Sequence, residues 1–132
     1  LSYEVSKTLS EAGIGQSTVV GIGGGPMWGL TQSDALEMFE RDSETEAIVL
    51  LGEIGGTMEE EAAEYIRNSV SKPVVALIVG RHAPEGQRMG HAGAIIHHGR
   101  GLAKGKIKAL ENAGVHIVMG PKEIPEIIKG VI

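Results

Sequence analysis

The sequence predicts an α/β fold, with a parallel sheet covered by helices on both faces. Three observations carry this. Short apolar runs alternate along the chain with amphipathic stretches of helical period. The runs are nearly continuous in Val, Ile and Leu, as strands buried on both faces require. The stretches between them are long enough to be crossover helices, whose connections should be right-handed.

Leu1 to Ala12 reads as a helix with Leu1, Val5, Leu9 and Ala12 on one face, stopped by Gly13. Thr18 to Gly23 reads as a buried strand, broken by Gly23-Gly24-Gly25-Pro26. Gln32 to Arg41 should be a helix with Leu36, Met38 and Phe39 turned inward. Ala47 to Leu51 is the next strand. Thr57 and Glu60 have the spacing of a capping box for a helix running to Asn68. Pro73 opens a strand that continues through Val79. A helix from Ala103 to Ala113 carries Ile107 and Leu110 and stops at Gly114. Val115 to Met119 is a short strand, with His116 in a structural place. Pro121 suits the first turn of a last helix that buries Ile124, Ile127 and Ile128.

The totals narrow the function. A chain of 132 residues makes one domain of ordinary size. With 42% hydrophobic but only 3% aromatic residues, its core must be aliphatic. The net charge is -5 and no basic stripe alternates with aromatics, which argues against nucleic-acid binding. The absence of cysteine excludes disulfides and thiolate metal sites and agrees with a reducing compartment. No apolar run reaches the roughly 18 residues of a membrane span, and no signal peptide is visible.

In a parallel sheet, ligands sit at the carboxyl ends of the strands. Those ends carry Gly23 to Gly25, then Gly52-Glu53-Ile54-Gly55-Gly56, then a loop of about 20 residues from Gly80 to Leu102, long enough to suggest a function. His91 lies in that loop, in the run Arg88-Met89-Gly90-His91-Ala92-Gly93. A histidine nitrogen is largely neutral near pH 7 and can act as a nucleophile. Gly90 and Gly93 leave the backbone bare for an anion or a neighbouring loop. Glu53, just past a buried strand, could accept a hydrogen bond from one imidazole nitrogen and so make the other a better nucleophile.

Other patterns fail their tests. The dinucleotide fingerprint finds Pro26 or Trp28 where its third glycine belongs, and Gly105-Lys106 is followed by Ile107 rather than Ser or Thr. His82, His97 and His98 lack a carboxylate spaced as a further ligand. Glu59, Glu60 and Glu61 compensate the positive end of their helix and make it a poor phosphate site. Lys104, Lys106 and Lys108 read as a solvated helix face. Met27 and Trp28 read as a partner contact or a cover for the core.

Gly15-Gln16-Ser17-Thr18, Val20-Gly21-Ile22-Gly23-Gly24, Gly52-Glu53-Ile54-Gly55-Gly56, Lys72-Pro73-Val74-Val75 and the run Ala83-Pro84 through Gly90-His91-Ala92-Gly93-Ala94-Ile95-Ile96 follow one another in order. In this the chain resembles, over nearly its whole length, the C-terminal ligase region of succinyl-CoA synthetase alpha subunits. The resemblance implies a flavodoxin-like three-layer sandwich that follows a CoA-binding Rossmann domain. It implies an acid–CoA ligase that interconverts succinyl-CoA, phosphate and nucleoside diphosphate with succinate, CoA and nucleoside triphosphate, a step of the tricarboxylic acid cycle. His91 would carry covalent phosphate and Glu53 would contact it. Tyr3 would lie near substrate, and Gly90 and Gly93 would belong to the phosphate loop.

The same resemblance implies CoA and ATP or GTP with Mg as substrates, bound mainly outside this chain. It implies a beta subunit with an ATP-grasp domain as partner, and a cytoplasmic setting, or the mitochondrial matrix in a eukaryote. Residues 1–132 would be a phosphohistidine domain truncated at its N-terminus. The Rossmann domain, the first strand and the family's Ser-Gly-Thr turn ahead of Leu1 would be absent, and the isolated piece inactive. Two departures are local. Gly25 stands where the family has Asp, and His97-His98-Gly99-Arg100-Gly101 stands where it reads Ala-Gly-Gly-Lys-Gly. Two other readings stay open: a ligase for malate or another short acid, and a non-catalytic binding module that keeps the fold.

Overall fold

The computed structural model describes residues 1–132 apart from Pro26 and Trp28, so the expectation for Trp28 lies outside the described residues. Helices α1 (Ser2–Glu11) and α2 (Gln32–Arg41) precede strand β1 (Ile48–Glu53). Then follow α3 (Met58–Ser69), β2 (Val74–Val79), α4 (Ala103–Asn112), β3 (His116–Val118) and α5 (Ile124–Val131). A 3-10 turn, Pro121–Glu123, leads into α5.

The three strands form one parallel sheet in the order β1-β2-β3. Strand β2 is central, and its Val-Val-Ala-Leu-Ile run is buried throughout. Its pleat divides the core. Val74, Ala76 and Ile78 pack with Ile48 and Leu50 of β1 against Leu36 of α2, Ala62, Ala63 and Ile66 of α3, and Ala103 and Leu110 of α4. Val75 and Leu77 point the other way, onto Val5 and Leu9 of α1 and Ile124 and Ile128 of α5. Helices thus cover both faces, in three layers.

Four local expectations are corrected. Thr18 to Gly23 is not a strand: among the described residues it joins no ladder, and Val19 and Val20 are exposed. A strand exists through its neighbour's hydrogen bonds, and an apolar run cannot supply that neighbour. The run leans on α2 instead, where Thr18 and Val20 enclose a cavity of about 180 Å³ with Ala35, Met38 and Phe39. Met38 faces this half-open cavity rather than the core and is 52% exposed.

The capping box at Thr57 does not form. The Thr57 hydroxyl donates to Glu61 at 2.7 Å, and the Glu60 carboxylate is drawn to Lys106 at 3.1 Å. The box lies on α2, where Thr31 and Asp34 exchange backbone-to-side-chain bonds of 3.1 and 2.9 Å. The Thr31 hydroxyl also donates to Asp34 and, with the Thr31 amide, holds its carboxyl below the usual range. Finally, Lys106 is not on a solvated face. It is fully buried, while Lys104 and Lys108 are exposed.

Candidate functional site

Parallel pairing runs to the last residue of β1, where Glu53 lies opposite Val79. Both strands therefore end at the same edge, and their following loops meet there. The chain leaves β1 through Ile54, which is buried and anchors the turn, and through Gly55 and Gly56, both at positive φ. It leaves β2 into the 80–102 loop, which Ala94 and Ile96 pin to the core. Within that loop the amides of Met89 and Gly86 donate to the carbonyls of Ala94 and Ile96.

The meeting of these loops puts His91 beside Glu53. Nδ1 of the ring lies 2.7 Å from Oε1 of the carboxylate. The His91 side chain remains 58% exposed, and its other nitrogen makes no hydrogen bond among the described residues. The Glu53 side chain is 27% exposed, half withdrawn behind the ring. A carboxylate so placed fixes the tautomer with the proton on Nδ1 and favours any positive charge the ring acquires.

Glycine lets the loops come this close. A Cβ on Gly24 would overlap both Nδ1 of His91 and Oε1 of Glu53, so the pair lies directly against bare backbone. The Gly93 amide donates to the Gly24 carbonyl at 2.8 Å, which ties the two loops together and commits that N–H to the protein. A Cβ on Gly55 would drive into the Gly93 carbonyl, and one on Gly101 would come within 2.7 Å of the Gly55 Cα. Gly55 also donates to the Gly101 carbonyl at 2.8 Å. Gly90 is exposed at φ 92° and turns the backbone just ahead of His91.

Four of the five sequence-derived site residues come together. His91, Glu53, Gly90 and Gly93 share one edge of the sheet. Tyr3 is 93% exposed in the first turn of α1, and its hydroxyl makes no hydrogen bond among the described residues. Helix α1 packs beside α5, on the second core face.

Two residues of this region escaped the sequence reading. Glu59 of α3 is buried and accepts the backbone N–H of Glu53 at 3.1 Å. Lys106 of α4 forms an ion pair with Glu59 and bonds the Gly56 carbonyl and Glu60, each at 3.1 Å. Their signal was present. Glu59 stands in the stripe of Ala62, Ala63 and Ile66, and Lys106 in that of Ala103 and Leu110, so a charge of each sign occupies a core position.

Residues 1–116 match the family model described as CoA-ligase. The chain is 56% identical over its full length to the succinate–CoA ligase [ADP-forming] subunit alpha of Aquifex aeolicus, and covers 43% of that protein. It is 61% identical, over 89% of its length, to subunit alpha 1 of the same enzyme from Archaeoglobus fulgidus, covering 40% of it. The ATP citrate lyase of Methanosaeta concilii, solved as the D541A mutant with (3S)-citryl-CoA, matches 83% of the chain and 20% of its own with a TM-score of 0.71. At 24% identity that match shows the fold alone. The chain spans about two fifths of the length of the curated relatives it matches.

Proposed function

The chain belongs to the CoA-ligase family, and we propose that it supplies the phosphohistidine-bearing part of the alpha subunit of a succinate–CoA ligase. The observation that carries this reading is the His91–Glu53 pair: a 2.7 Å contact, seated on bare glycine backbone, with more than half of the His91 side chain exposed.

That geometry supports the chemistry that the resemblance implies. In the direction of triphosphate synthesis, Nε2 of His91 attacks the phosphorus of succinyl phosphate. The P–O bond to succinate breaks, and succinate leaves with the bonding electrons. The ring then carries the phosphoryl group on Nε2 and its proton on Nδ1, held by Glu53. A terminal oxygen of the nucleoside diphosphate next attacks the same phosphorus, the N–P bond breaks, and neutral imidazole returns. Covalent storage suits two phosphoryl partners that bind at different places. The 80–102 loop that bears the ring can carry the group between them. Most of the acceleration is positioning and charge stabilisation.

CoA and the nucleotide bind mainly outside this chain, and a beta subunit with an ATP-grasp domain supplies the nucleotide site. Magnesium arrives with the triphosphate. Among the described residues no group of three or more His, Asp or Glu is placed to hold a metal ion. Tyr3 lies toward substrate in the assembled enzyme, and Gly90 belongs to the loop that meets phosphate. This piece alone is inactive, and the enzyme works in the cytoplasm or, in a eukaryote, the mitochondrial matrix. Among the described residues no helix is long and apolar enough to cross a membrane.

The test is to incubate the assembled enzyme with γ-labelled triphosphate and map the label. Alkali-stable, acid-labile phosphate on His91, absent from His91→Asn, is the expected result. Undiminished labelling of that variant overturns the reading.

A further inference from the structure

We propose that the buried Lys106–Glu59 pair is a positioning device that sets Glu53 against His91. The proposal rests on the reading of His91 as phosphoryl carrier and extends it to two residues that touch no substrate.

A buried ion pair is weak evidence of a stabilising role, because apolar residues of similar volume often serve the core as well or better. What distinguishes this pair is where its remaining bonds go. One Glu59 oxygen receives Lys106, and the other accepts the Glu53 N–H at 3.1 Å. The Lys106 ammonium reaches past Glu59 to the Gly56 carbonyl at 3.1 Å. The pair therefore holds both ends of the 53–56 turn, the segment that carries Glu53 and the Gly55 backbone on which Gly93 is stacked. Gly52 makes room for this. A Cβ there would lie 2.7 Å from Cγ of Glu59 and 2.8 Å from its Oε1, so the carboxylate fills the space above the strand end.

Lys106 and Glu59 are 0% and 5% exposed, so neither bond is diluted by water. Moving the Glu53 N–H moves its Cα, and with it the carboxylate that fixes Nδ1. Partners of this kind, one step removed from the reacting group, typically contribute 10- to 100-fold where they have been measured at metal sites.

The test compares the assembled wild-type enzyme with two variants. Glu59→Met/Lys106→Met removes the ion pair together with the acceptor, and its apolar replacement should fold. Glu59→Gln keeps an oxygen for the Glu53 N–H. Two quantities are read in each: the single-turnover rate of His91 phosphorylation and the imidazole ¹⁵N shifts of His91, which report the tautomer. The double variant should be slowed roughly tenfold or more, with ¹⁵N shifts moved toward a mixed tautomer. Glu59→Gln should restore the shifts and most of the rate. A double variant with wild-type shifts overturns the proposal whatever its rate, since slowing without a change at the ring is merely structural. Equal effects of both variants also overturn it. Absence of label from wild-type His91 would instead sink the phosphoryl-carrier reading.

Discussion

Nδ1 of His91 lies 2.7 Å from Oε1 of Glu53, although 38 residues separate them in the chain. The contact joins a coil loop to the last residue of a buried strand. Glu53 ends a ladder-bonded strand and His91 stands in a loop, so Glu53 serves as the fixed point and the ring as the part that must be held.

Glu53→Gln keeps an oxygen near Nδ1 and loses the charge. Phosphorylation of His91 in the assembled enzyme should slow by roughly 10- to 100-fold, with little change in the triphosphate concentration at half-saturation. Rapid-quench labelling reads both, and an unchanged rate would remove the role given to Glu53.

Gly24→Ala places a methyl group where Nδ1 and Oε1 now meet. Gly24 does not have a positive φ, so its backbone accepts alanine. The variant should keep its thermal midpoint while losing about 10-fold or more in labelling rate, since small misplacements of reacting groups are costly. Calorimetry beside single-turnover labelling separates the two effects.

Lys106→Ala strands the buried carboxylate of Glu59 and should cost about 3–5 kcal/mol of unfolding free energy. Lys104→Ala and Lys108→Ala, on the exposed side of the same helix, should stay within about 0.5 kcal/mol of wild type. Urea titrations of the three variants give the comparison, and three equal costs would contradict the burial of Lys106.

Three carboxylates should contribute to acid stability. The Ser71 hydroxyl holds Glu40 below its usual range, and the Thr45 hydroxyl does so for Asp42, helped by the Glu44 N–H. Asp34 is held down by Thr31. A group lowered in the folded state contributes stability that is present above its unfolded pKa, near 4, and is lost as pH falls through the folded value. The thermal midpoint should therefore drop on acidification from about pH 5 downward. Asp34→Asn should flatten part of that slope, and an identical slope would remove Asp34 from the set.

The elements most legible in the sequence were those whose pattern is local. The helix over Gln32 to Arg41 has the predicted ends, because Thr31 and Asp34 cap its start. The last helix buries Ile124 and Ile128 as expected, and Gly13 and Gly114 stop their helices at positive φ. The Thr18 to Gly23 strand failed because pairing is a property of two segments, and its apolar run spoke for only one. The proximity of His91 and Glu53 was legible as chemistry, from their placement at strand ends. The layer behind them was not. Helix-surface reasoning classed Glu59 with its acidic neighbours and Lys106 with its basic ones, while the two pair across two helices and Lys106 also reaches Glu60.

The rim around His91 is assembled from main chain meeting main chain at Gly24, Gly55, Gly93 and Gly101. Nothing there can be repacked by choosing another rotamer. Its outline should hold steady from one molecule to the next, yet it offers a protein engineer almost no foothold. Reshaping this rim means lengthening or re-routing whole loops rather than trimming side chains.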